Sequence, residues 1–195
     1  MHKGRLEAFS DGVIAVIITI LVLELRVPHG ADLASLQPLL PVAISYVLSF
    51  VYIGIYWNNH HHLLQAASHV DGAVLWANLH LLFWLSLVPF VTAWMGENEF
   101  ATIPVAVYGF DLLMAGFGYY FLERSLIAAQ GKDSRLHMAV GAEIKGWLSI
   151  VFYSIGIVAA LFWTPWISLG LYALVALMWL IPDRRIERTL SRSGG

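Results

Sequence analysis

Six stretches of this chain are each about 20 residues long and almost wholly apolar, and nothing else in the sequence constrains the fold as tightly. A helix needs roughly 20 apolar residues to cross a hydrocarbon core of about 30 Å, and it must bond every backbone N–H and C=O within itself. The stretches fall at residues 8–26, 39–63, 72–95, 101–122, 142–162 and 166–182. Turn chemistry separates them at Pro28-His29-Gly30, Ser68 to Asp71, Gly96 to Glu99, Gln130 to Arg135 and Thr164-Pro165-Trp166. The expected fold is an all-α polytopic membrane protein with six transmembrane helices, residues 1–195 forming one domain. The first stretch is too long for a signal-peptide core and lacks an A-x-A-like cleavage site, so it is expected to remain as a span.

Composition narrows the function. Of 195 residues, 59% are hydrophobic and 12% charged, against about a quarter charged in soluble domains. A net charge of −2 offers no basic field for nucleic acid. The absence of cysteine removes disulfides, thiolate metal sites and thiol catalysis together. Eight Trp, eight Tyr and ten Phe fit anchors at the two lipid interfaces. Orientation follows from the basic residues. Lys3 and Arg5 precede the first span, Arg124, Lys132 and Arg135 join the fourth to the fifth, and Arg184, Arg185, Arg188 and Arg192 follow the sixth. The opposite side holds Arg26, Asp32, Glu97 and Glu99, so both termini are expected to be cytoplasmic. No nucleotide loop, nucleophile elbow, HExxH or TVGYG motif is present, so neither enzyme chemistry nor a carbonyl filter is expected.

Polar residues inside the spans form a short list, because each is costly in lipid. Asp11 lies one turn into the first span, where a carboxylate suits the positive helix N-terminus, with Ser10 beside it and Arg5 within reach directly or through a neighbouring helix. Val16, Thr19, Ile20 and Leu23 follow at spacings of 3, 1 and 3 and share one helical stripe, which periodicity alone assigns to ordinary helix packing. The second span ends in Trp57-Asn58-Asn59-His60-His61-His62. Neighbours on a helix point about 100° apart, so an interhelical polar cluster of Trp57, Asn58, His61 and Asn78 is expected rather than a metal site. Asp111 in the fourth span reads as a protonated packing residue or as part of a proton path. Glu143 and Lys145 are expected at the interface. Glu97 and Glu99 on the outer side would raise local cation concentration within the roughly 8 Å screening distance of physiological salt.

Arg5, three residues, then Phe9-Ser10-Asp11 opening the first span resembles the R-x-x-x-F-S-D signature of the transmembrane protein 175 family, endolysosomal potassium channels and their bacterial relatives. The Trp and Asn/His cluster of the second span, and Asn78 with Leu87-Val88-Pro89-Phe90 in the third, are similar to that family too. The likeness carries specific motifs over the first 95 residues or so and only a span count beyond. It implies a bacterial-type subunit of six spans in a bacterial plasma membrane, assembled as a homotetramer in contact with lipid. It further implies that the first helix lines a central pore for potassium, the permeant ion, without cofactor or metal. Under the resemblance Val16, Thr19, Ile20 and Leu23 become pore constriction and selectivity positions, valine departing from the isoleucine or leucine more usual there. Arg5, Phe9, Ser10, Asp11, Trp57, His61 and Asn78 become a structural polar network holding the pore helix. A proton channel or proton-coupled transporter using Asp11, His61, His80 and Asp111 is the alternative, and a non-conducting scaffold a third.

Overall fold

The computed structural model describes residues 3–131 and 144–180, and its regular structure there is entirely helical. Six α-helices follow in order: α1 (Lys3–Leu23), α2 (Leu40–Ala66), α3 (Gly72–Glu97), α4 (Thr102–Gln130), α5 (Ile144–Phe162) and α6 (Pro165–Leu180). A short 3-10 helix, Leu33–Leu39, leads into α2. The first five are long and apolar enough to cross a membrane, and α6 is a shorter apolar helix. The chain is thus an all-α, multi-pass membrane protein. Lys132, Arg135, Glu143, Arg184, Arg185, Arg188 and Arg192 lie outside the described residues, as do positions 142–143 and 181–182 of the expected spans.

Local chemistry sets the boundaries. Asp71 accepts from the Val74 N–H at 2.9 Å and so caps α3, and Asp32 does the same for Ser35 at 3.1 Å before the lead-in to α2. Proline opens α6 at Pro165, where its missing N–H costs nothing. The fourth helix runs eight residues beyond the expected 122. Charged Glu123 and Arg124 end the apolar stretch there, but both are good helix formers and do not end the helix. Gly131, with φ 84°, does.

Packing is centred on α3 and α4. The fourth helix also packs against α5, α5 against α6, and α1 chiefly against α2 and α3. Small residues let the backbones approach, as membrane helices require when no hydrophobic difference drives them together. A Cβ on Gly118 would lie 2.9 Å from the Leu81 Cα, and Gly109 leaves room for the Tyr172 ring. Buried hydroxyls find partners within the bundle. Ser49 Oγ lies 2.7 Å from Thr92 Oγ1 and 3.0 Å from the Tyr108 hydroxyl, while Tyr52 donates to the Tyr172 carbonyl at 2.6 Å.

Gly118→Ala forces α3 and α4 apart, because the atom it meets is backbone and cannot rotate away. We expect a loss of about 1–3 kcal/mol, the usual cost of overpacking, read as a lowered thermal midpoint in detergent.

Candidate functional site

The first helix has two unlike faces. Leu6, Ser10, Ile14, Ile17 and Leu21 recur at helical spacing and are buried against α2 and α3. Phe9, Val16, Thr19, Ile20 and Leu23 lie on the other side and are uncovered in the single chain, Val16 at 55% and Leu23 at 78% exposure. The four stripe positions therefore share a face that no other helix among the described residues covers. The Thr19 hydroxyl donates to the Val16 carbonyl at 2.7 Å.

Three buried polar groups fix the covered face. Ser10 Oγ donates to the Leu6 carbonyl at 2.9 Å and accepts from Asn78 Nδ2 at 2.9 Å. Asn78 Oδ1 lies 2.7 Å from His60 Nε2. An amide oxygen only accepts, so His60 must carry its proton on Nε2. One amide of α3 thereby joins α1 to α2, and all three side chains are buried.

A second set of contacts flanks the first at the same level of the helices. Trp57 Nε1 donates to Asp11 Oδ1 at 3.1 Å, and His61 Nδ1 lies 3.3 Å from Glu7 Oε1. Glu7 and Asp11 are one turn apart on α1, Trp57 and His61 one turn apart on α2, and the two rings stack with centroids 6.0 Å apart. Lys3 Nζ donates to the carbonyls of Gln65 and Ala67 at the end of α2.

Several expectations change. His60, not His61, bonds Asn78, and His61 meets Glu7 instead. Among the described residues no three His, Asp or Glu groups converge as a metal site. Arg5 is exposed and makes no ion pair with Asp11 among the described residues, sharing instead the uncovered face with Phe9 and Val16. Asn58 is exposed and stands outside the cluster. Glu97, expected as a free charge at the outer surface, is paired with Arg26. Asp111 is buried on α4, and neither carboxylate oxygen has a hydrogen-bond partner among the described residues. A run of three like residues does not show which of them turns inward, so His60 is not legible in the sequence, and Glu7 stands outside the quoted signature. The i, i+4 match of Glu7 and Asp11 to Trp57 and His61 was the available signal.

A family model described as the endosomal/lysosomal potassium channel TMEM175 matches residues 5–89. A protein named as a potassium channel from Chryseobacterium sp. (strain P1-3) is 55% identical over 193 residues, 99% of this chain and 100% of that one. The crystal structure of a lysosomal potassium-selective channel TMEM175 homolog from Chamaesiphon minutus superimposes with a TM-score of 0.80 at 29% identity, covering 92% of this chain and 96% of that chain. The Gallus gallus protein named endosomal/lysosomal proton channel TMEM175 is 33% identical over 113 residues, 52% of this chain but only 22% of that longer protein.

Asn78→Leu removes the shared partner of Ser10 and His60 and leaves both polar groups buried without it. We expect destabilisation of about 1–3 kcal/mol, the cost of orphaned buried groups, measured by thermal unfolding in detergent.

Proposed function

This chain belongs to the TMEM175 family of channels, and from that premise we propose that it conducts potassium through a central pore lined by α1 in a homotetramer. The family is one of ion channels and not of enzymes. The observation that carries the reading is the uncovered face of α1: an apolar stripe with one hydroxyl, on a helix whose other face is locked against α2 and α3. An apolar face on a monomer calls for a covering surface, and the same face on three further copies would enclose an axis. Arg5 on that face would then stand at one mouth of the pore. Residues 1–195 act as one channel domain in a bacterial plasma membrane, with both termini cytoplasmic and lipid around the rim. The distribution of basic residues supports this orientation.

Four Val16 side chains around an axis make a ring that closes by narrowing and dewetting, since an ion crossing it must shed water. Ile20 and Leu23 extend that dry wall. Thr19, its proton committed to the Val16 carbonyl, turns an oxygen toward the axis where a dehydrating cation needs one. Ser10, Asn78 and His60 hold the helix so that these rings stay in register.

Proton permeation is the second reading. The animal relative's printed name supports it, as does Asp111, buried with both oxygens unbonded among the described residues. It would make Asp111→Asn slow acidification of vesicles, a change to which a potassium pore along α1 is indifferent.

Liposomes holding the purified chain and a potassium gradient are expected to show flux above empty vesicles and a preference over sodium; absence of both sinks the proposal. Val16→Ala should raise single-channel conductance several-fold and Val16→Phe should nearly abolish it. Equal currents in all three would remove Val16 as the constriction.

A further inference from the structure

The outer end of α1 is tied to a turn held under strain. α3 ends on Glu97, a carboxylate at the helix end where the macrodipole favours a cation, and no basic residue lies in its last turn. The chain then reverses through Glu99 and Phe100 at φ of 50° and 61°, a left-handed conformation that bulky residues adopt only when the surroundings compel it. Backbone bonds supply that compulsion: Asn98 N to Trp94 O at 3.3 Å, Glu99 N to Gly96 O at 3.2 Å and Phe100 N to Met95 O at 3.0 Å. The Phe100 side chain is buried, its ring 5.5 Å from that of Trp166. Glu97 is therefore presented by a rigid turn.

Its partner is Arg26, 71 residues away in sequence and three residues past the end of α1. Arg26 is the only Lys or Arg between residues 6 and 123. The pair is largely solvent-accessible, with Arg26 at 72%, and an exposed pair adds little to stability. Its consequence lies in where it leaves the charge. Beyond Leu23, the last residue of the apolar stripe, a loose guanidinium would reach over the end of α1; bonded to Glu97 it is drawn to α3 and neutralised.

We propose that Glu97 is a positioning residue of the conduction pathway: it pins Arg26 to the end of α3 and cancels a cation that would repel potassium at the outer mouth. This rests on α1 lining the pore. Glu97→Gln then frees one positive charge per subunit, four around the axis, while Arg26→Gln frees a negative one.

Single-channel conductance of the full chain in planar bilayers, with potassium entering from the outer side, tests this at low and high salt. At about 0.01 M, where the Debye length is about 30 Å, Glu97→Gln should lower inward conductance several-fold and Arg26→Gln should raise it. At about 1 M, where it is about 3 Å, both should approach the unmodified channel. The exchanged pair, Arg26→Glu with Glu97→Arg, should restore low-salt conductance. Single variants that shift conductance in the same direction, or by the same factor at both salt concentrations, overturn the inference, as does a conducting channel indifferent to both. A chain that carries no potassium flux before any substitution instead overturns the pore reading, and this inference with it.

Discussion

The structure depends on a requirement that lipid imposes: a polar group placed in hydrocarbon must be satisfied by the protein itself. Asn78 meets it for two neighbours at once, donating to Ser10 on α1 and accepting from His60 on α2. Because an amide has a donor end and an acceptor end, this junction is directional, and it fixes the rotation of α1 about its own axis. Everything asked of α1 follows from that rotation. If the helix turned by one residue, about 100°, Val16 and Leu23 would leave the uncovered face and Ile17 and Leu21 would approach it.

The second set of contacts flanks this junction on α1 and α2. Trp57 with Asp11, His61 with Glu7 and Lys3 with the last carbonyls of α2 tie the helix near its first turns, and Arg26 with Glu97 ties it beyond its last. The stretch between, from Val13 to Leu23, carries no side-chain hydrogen bond to another helix among the described residues. Polar contacts thus hold the two ends of the helix, and the stretch between them is packed almost wholly through apolar side chains.

The six spans were legible because a run of 20 apolar residues has few other uses, and the grouping of Val16, Thr19, Ile20 and Leu23 on one face was legible because helical spacing is fixed. The rotation of α2 was not. It is apolar on all sides, so no hydrophobic face shows which of His60, His61 and His62 turns inward, and consecutive residues differ by about 100°. The helix α4 continues past the apolar stretch that ends before Glu123, because charge does not end a helix. Arg5 invited pairing with Asp11 on sequence distance, whereas the two leave α1 in different directions. Arg26 and Glu97 looked like unrelated surface charges, since their meeting depends on α1 and α3 ending at the same level of the bundle.

The bond from the Thr19 hydroxyl to the Val16 carbonyl carries one more consequence. A free hydroxyl can turn either its hydrogen or its oxygen toward a passing ion and so serve chloride as readily as potassium. With the hydrogen held by the helix backbone, only the oxygen is on offer. A circle of such groups would discriminate by the sign of the charge while bearing none itself, turning away anions by having nothing to donate to them.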